Sequence, residues 1–389
     1  MTAPEMQRQF TTTGWPWRPG NSFTLLHDNG AFFEAMLAAV AGARRYVLLE
    51  MYLVTSSGIT TRFIEALTAA CARGVRCCVL FDGFGSLGLR RAERRLLLEA
   101  GVELRFFNPL RWRRQLLANL QRDHRKLLLT DGQLAFVGGA GLTDQFAGIA
   151  PHPPWRELML RMEGPVVADW QRAFARTWRR CGAPLGLADP PPCAPRADGA
   201  RGRLSLSEAR QHSVLASGVL RQIDGARRRA WIMSAYFVPS RRFRKALRRA
   251  ARRGVDVCLL LPGPRTDHPW VRQAARRFYG KLLRSGVQIY EYQPAMLHAK
   301  MILCDDWVSI GSSNLDRWSF RWNLEANQEI DDAAVAEAAA ALFQGDFADS
   351  RAISRRAWPR RARLDRLREQ IAGVLDRTLD RWRGPSDSA

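Results

Sequence analysis

The sequence predicts an α/β fold made of two similar lobes that arose by internal duplication, and three observations carry that expectation. First, one short arrangement occurs twice: His124-Arg125-Lys126 with Asp131 five residues on, and His298-Ala299-Lys300 with Asp305 at the same spacing. Second, Gly42-Ala43-Arg44-Arg45 recurs as Gly225-Ala226-Arg227-Arg228, and Arg73-Gly74-Val75 as Arg253-Gly254-Val255. The offsets are 183 and 180 residues, against 174 for the histidines. So small a drift is what changes in loop length leave between two copies, and self-similarity on this scale marks a repeated unit. Third, each copy alternates short β-rich apolar runs with helical stretches of 10–15 residues, the pattern of a largely parallel or mixed sheet.

In chain order, a first lobe over 1–190 holds a helical stretch at 32–43 and the apolar run Tyr46-Val47-Leu48-Leu49. A helix over 60–72, the run Cys77-Cys78-Val79-Leu80-Phe81 and a helix over 90–100 follow. The first motif, a Gly138-Gly139 turn and a helix over 169–180 complete it. Residues 183–203 contain Pro190-Pro191-Pro192 and little periodicity, which reads as the linker. A second lobe over 204–389 repeats the plan. Trp231-Ile232-Met233, a helix over 241–253, the run Val257-Cys258-Leu259-Leu260-Leu261 and a helix over 268–285 lead to the second motif and the turn Gly311-Ser312-Ser313-Asn314.

The motifs themselves point to phosphoryl chemistry. On an extended segment, side chains two residues apart share a face, so an imidazole and an ammonium converge on one phosphate. Composition argues against coincidence: only four of the 60 basic residues are Lys (Lys126, Lys245, Lys281, Lys300), and two of those four stand in the motifs. Elsewhere the chain uses Arg, a planar fork, whereas Lys is a compact point charge on a flexible stem. One such His-Lys pair is compatible with ordinary strand-end residues; two, each followed by an apolar stretch and a Gly-rich turn, are not.

Bulk properties narrow the setting. At 389 residues the chain is long enough for two sizeable cores. Apolar runs of 18 residues are absent, so no transmembrane helix is expected. Met1-Thr2-Ala3-Pro4-Glu5 lacks the basic segment and apolar core of a secretory signal. Seven Cys without paired spacing point to a reducing cytoplasm and to packing in the core, and no metal site is legible. The net charge of +23 calls for a polyanionic partner, nucleic acid or an anionic membrane leaflet. Thirteen Trp, many beside Arg, favour the membrane, because Trp settles at the headgroup level. Residues 110–121 form a short basic amphipathic segment just before the first motif, suited to membrane contact or to an ordinary surface. A basic helix over 361–383, with an apolar stripe from Leu364 to Trp382, reads equally as a packed terminal helix.

With these residues in view, the chain resembles the phospholipase D superfamily, whose signature is this His-x-Lys-x-x-x-x-Asp motif in two copies. Within it the match is to the bacterial cardiolipin synthase type without transmembrane helices. The resemblance spans about 31–330. It includes Asp82-Gly83-Phe84-Gly85-Ser86, Arg161-Met162-Glu163-Gly164-Pro165, Tyr236-Phe237-Val238-Pro239 and Trp322-Asn323-Leu324-Glu325-Ala326-Asn327. It implies a phospholipase D-like fold, two α/β lobes about a pseudo-twofold axis with one active site at their interface. It also implies a two-step phosphodiester exchange without metal or other cofactor.

Carried over by position, the resemblance makes His124 the nucleophile and His298 the general acid and then base, roles that an imidazole can fill near neutral pH. It gives Lys126 and Lys300 the non-bridging phosphate oxygens, and Ser312, Ser313 and Asn314 further phosphate hydrogen bonds. Asp131 and Asp305, counted with the catalytic motif, are expected to orient its backbone. Glu157 and Glu325, 33 and 27 residues after the two histidines, stand where the family carries acids that orient imidazoles. The chain departs from the family in two places: Gly141 replaces the usual Asn after the first motif, and the second motif is one residue shorter between Asp305 and Gly311.

The implied activity is transfer of a phosphatidyl group onto phosphatidylglycerol or a related alcohol through a phosphatidyl-histidine. An anionic phospholipid is then the substrate, and the location is the cytoplasmic side of the inner membrane, held peripherally by the basic Trp/Arg-rich segments. The alternatives are a hydrolytic phospholipase D, with the same residues and water as attacker, and a nuclease or other phosphodiesterase of the superfamily, which the charge would suit.

Overall fold

The computed structural model describes residues 14–110, 119–149, 153–190, 193–208, 214–362 and 365–373. The apolar runs of both halves lie in one sixteen-stranded mixed sheet. In the first half Glu103–Phe107, Arg76–Asp82 and Tyr46–Met51 run parallel. Lys126–Thr130, Leu134–Gly138, Met159–Glu163 and Arg18–Leu26 continue the sheet antiparallel. The second half repeats this with Gln288–Tyr292, Asp256–Pro262 and Arg229–Met233 parallel. Met301–Cys304, Trp307–Gly311, Asn323–Asp331 and Ala200–Glu208 then follow antiparallel. The two halves join where Arg18–Leu26 pairs with Ala200–Glu208, so the sheet runs unbroken through the molecule. Ala200 already belongs to a strand, so the stretch read as linker ends before 203.

Helices cover both faces. Val166–Arg180 and Ala333–Ala348 share one core face that runs through both halves, where Trp170, Trp178, Trp231 and Phe343 are buried. On the other face Asn29–Gly42 and Gly58–Ala72 pack on the first half, and Val214–Gly225 and Arg241–Arg252 on the second. Asp28, Ser57, Ser240 and Asp332 cap four of these helices by accepting a backbone N–H from three residues on. The expected helix over 268–285 is two, Pro269–Arg276 and Tyr279–Arg284. Val214–Gly225 and Ala333–Ala348 were not expected. The cysteines at 77, 78, 258 and 304 are buried, and burial pushes the Cys78 thiol up to about 12.

Cross-lobe contacts pin the halves together. Trp170 Nε1 donates to Gln328 Oε1 at 2.8 Å, and Arg156 forks onto Asp346 at 2.9 and 3.1 Å. Residues 111–118, which hold most of the basic segment at 110–121, lie outside the described residues, as do 363–364 and 374–383 of the stretch expected as a terminal helix. The described part of that helix packs through Ala372 against Val238 and Ala274 while Leu367 and Ile371 stay exposed.

Candidate active site

Each motif histidine sits just before a buried central strand, and its lysine begins or adjoins that strand. Lys126 through Leu129 and Lys300 through Leu303 are buried, so the apolar run fixes the strand and its entry presents His and Lys at the sheet end. Asp131 and Asp305 stand at the other end, about 15 Å away at roughly 3.3 Å per residue. Both adopt left-handed backbone, φ 56° and 52°. Their carboxylates accept backbone N–H groups of Arg44, Arg45 and Tyr46 in one half and Arg227, Arg228 and Arg229 in the other. They therefore tie the motif turn to the neighbouring strand and take no place among the catalytic groups with which the motif had counted them. The missing residue of the second motif falls in this turn, 305–306 against 131–133.

The histidines are oriented across the interface. His124 Nδ1 lies 3.0 Å from Glu325 Oε2, and His298 Nδ1 lies 2.5 Å from Glu157 Oε2. The backbone follows the same crossing: His124 N–H donates to Leu324 O at 3.0 Å and His298 N–H to Arg156 O at 2.9 Å. Arg122–Asp123 adds a short parallel pairing with Asn323 and Leu324, and Arg156 bridges Leu297 in the same sense. Because a carboxylate accepts, each Nδ1 carries the proton and each Nε2 keeps a lone pair for chemistry. His124 and His298 are 9% and 7% exposed and both glutamates are fully buried.

The lysines share that pocket. Lys126 Nζ donates to His124 O at 2.5 Å, and Lys300 Nζ lies 2.9 and 3.2 Å from the two ring nitrogens of His298. Burial draws Lys126 down to about 7 and Lys300 to about 8, while Glu325 and Glu157 hold them up. Burial and then Lys300 take His298 down to about 4, and burial lowers His124 as well. Each lysine also depresses the opposite histidine, as charges in one pocket do. Burial raises Glu157, but Lys300 and His298 outweigh it and hold it below the usual carboxylate range. The resting site therefore pairs ionised Glu157 with a neutral His298.

The two sides are not equivalent. Glu325 accepts from Ser312 Oγ as well as His124, and Asn323 Nδ2 donates to its other oxygen at 3.1 Å. Ser312, expected to hold phosphate, thus spends its single proton on Glu325. Ser313 Oγ donates to Asn314 O at 3.4 Å. Asn314 is buried and its Oδ1 finds no partner among the described residues. In the first half Gly139 occupies the place of Ser312, and a Cβ there would meet Glu157 Oε2 at 2.3 Å. Gly141 occupies the place of Asn314, with a Cβ position 2.7 Å from Leu53 O. The usual Asn has no room at that point.

Aromatic groups line the site, and the motif spacing gave no sign of most of them. Tyr52 packs edge-on against His124 with centroids 4.8 Å apart and lies under Lys126 at 5.1 Å. Phe146, Trp155 and Tyr236 surround His298 at 5.2, 5.4 and 6.3 Å. Trp155 precedes Glu157 by two residues as Asn323 precedes Glu325, a spacing visible in the sequence. Among the described residues no cluster of His, Cys, Asp and Glu could hold a metal, and no helix is long and apolar enough to cross a membrane.

The profile of the family described as cardiolipin synthase, PLD-like domain, matches residues 36–178 and 219–347, one segment in each half. The chain belongs to this family. It is 35% identical over 367 residues to cardiolipin synthase A of Pseudomonas entomophila, covering 94% of this chain and 76% of that protein. It is 35% identical over 375 residues to cardiolipin synthase A of Pseudomonas putida, with the same coverage. The fold also matches the crystal structure of phosphatidylserine synthase from Haemophilus influenzae. The TM-score is 0.73 at 12% identity, over 97% of this chain and 98% of that one. Both family segments contain one His-Lys set, so this phospholipase D-superfamily enzyme assembles its site from the two repeats.

Proposed function

We propose that the enzyme transfers a phosphatidyl group from one phosphatidylglycerol to another, giving cardiolipin and glycerol through a phosphatidyl-histidine on His124. The observation that carries this reading is the crossed pair of histidine–glutamate bonds, which turns two imidazoles and two ammoniums onto one pocket. His124, neutral with Nδ1–H held by Glu325, attacks phosphorus through Nε2. The N–P bond forms as the bond to glycerol oxygen breaks, and His298 delivers a proton to that oxygen. Burial and then the Lys300 charge keep His298 neutral in the empty site. The anionic phosphodiester beside the ring offsets the lysine charge, so His298 takes up a proton at Nε2 as substrate binds, and that is the proton it delivers. Lys126, Lys300 and Asn314 stabilise the phosphate oxygens as charge develops.

Membrane contact is supported by large exposed apolar side chains on a loop and at a helix start. Phe84 and Leu87 are 49% and 57% exposed on the loop that packs behind Tyr52, and Trp270 is 63% exposed in the first turn of Pro269–Arg276, two residues after His268, whose ring lies tilted 5.4 Å from Tyr236. With the +23 charge, these suit peripheral attachment to the anionic cytoplasmic leaflet of the inner membrane. Purified enzyme given phosphatidylglycerol in detergent tests the activity: cardiolipin is the expected product, and phosphatidic acid alone would replace transfer with hydrolysis.

A further inference from the structure

We propose that the open cavity beside His298 binds the phosphate-bearing headgroup of the second phospholipid, and that Arg265 selects this anionic acceptor over water and neutral alcohols. This rests on the transfer reading and locates one half of it. The cavity measures about 720 Å³ and is lined by Gln145, Pro153, Trp155, Arg265, Asp267 and Met296 among others. That is within the range of small-ligand sites, roughly 300–1,000 Å³. Trp155 is its wall and also packs 5.4 Å from the His298 ring, so the cavity opens alongside the group that receives the incoming proton.

The polar groups in that wall match a glycerophosphoglycerol headgroup. Arg265 Nη1 donates to Pro294 O at 2.7 Å, and the guanidinium meets no carboxylate among the described residues. Its remaining N–H groups form the fork that fits a phosphate. Asp267 accepts the Tyr236 hydroxyl at 2.5 Å and is otherwise positioned to accept from glycerol hydroxyls. Among the described residues the first half offers no equivalent on the matching loop. The loops after Asp82 and Pro262 correspond, each beginning with Gly83 or Gly263, and Arg265 falls opposite Gly85. A Cβ at Gly85 would lie 2.1 Å from Tyr52 O, so no side chain fits there. Tyr52 packs on the His124 ring, whereas the cavity beside His298 carries Arg265 in its wall.

This asymmetry assigns the second step a direction. The acceptor hydroxyl in the cavity gives its proton to His298 Nε2 as its oxygen bonds to phosphorus, and the N–P electron pair returns to His124. Arg265 holds the acceptor's own phosphate meanwhile. The test uses the 389-residue chain, phosphatidylglycerol vesicles and added ethanol, with cardiolipin and phosphatidylethanol measured in the same tube. Arg265→Gln is expected to lower the cardiolipin to phosphatidylethanol ratio about tenfold, the size of one lost charge-assisted contact, and to raise the KM for lipid acceptor more than it changes kcat. Arg265→Lys, which keeps the charge but not the fork, should recover part of that ratio. An unchanged ratio in Arg265→Gln, or two products falling together, would overturn the assignment. Wild-type enzyme forming neither product would overturn the transfer reading itself.

Discussion

His124 and Glu325 stand 3.0 Å apart although 201 residues separate them, and the reciprocal pair, His298 and Glu157, spans 141 residues. Each imidazole thus comes from one repeat and its orienting carboxylate from the other. Neither repeat alone contains a held histidine, which gives a physical reason for both motifs to lie in one continuous sheet.

Replacing Glu325 with Gln keeps the shape but offers an amide where a carboxylate held the Nδ1 proton. We expect kcat to fall by about a thousandfold with KM little changed, the scale seen when an orienting carboxylate is neutralised. Glu157→Gln should act similarly. Product assays beside circular dichroism check this, and near-normal kcat in either variant would remove that glutamate from the mechanism.

Ser312 and Gly139 occupy matching positions with opposite demands. Ser312→Ala removes one bond to Glu325 and is expected to lower kcat about tenfold without altering the fold. Gly139→Ala places a methyl where Glu157 Oε2 lies 2.3 Å away, so the carboxylate must leave His298. Steady-state rates should show the alanine at 139 to be the more damaging of the two.

The His-Lys pairs, the duplication and most helices of the first lobe were legible because they rest on local spacing and repeated patterns. The crossing of the glutamates was not, since it depends on contacts between residues more than a hundred positions apart. The resemblance implies a phosphate contact for Ser312 through its place in the turn with Asn314. Only the neighbouring carboxylate reveals where its proton goes. The helix Ala333–Ala348 escaped because Ala on nearly every face leaves no clear amphipathic period, although Ala-rich composition is itself a strong helix signal. The aromatic cage around His298 gathers residues from three separate segments, and no single stretch of sequence announces it.

Lys126 and Lys300 begin to lose their charge near pH 7 and pH 8 in the empty site. A phosphodiester monoanion needs them charged, so its binding above those values requires proton uptake. Inhibition by glycerophosphoglycerol, whose charge is constant over this range, should weaken as pH rises from 6.5 to 9. The fall should approach about tenfold per pH unit for each lysine above its pKa. A pH-independent inhibition constant would contradict the shared-pocket electrostatics.

Vesicle attachment should depend on the exposed apolar side chains. Phe84→Ser, Leu87→Ser and Trp270→Ser combined remove three apolar groups, each worth about 1.5–3 kcal/mol when fully buried. Co-flotation with phosphatidylglycerol vesicles is expected to weaken at least a hundredfold, while activity on detergent-dispersed lipid persists. Unaltered flotation would place the membrane contact elsewhere on the protein.

The most direct measurement of the mechanism is peptide mass spectrometry of His298→Asn enzyme after brief exposure to phosphatidylglycerol. With the second imidazole gone, resolution of the intermediate slows, and a phosphatidyl adduct on the peptide containing His124 is the predicted result. An adduct on His298 in the His124→Asn enzyme, with none on His124 in its counterpart, would contradict the assignment.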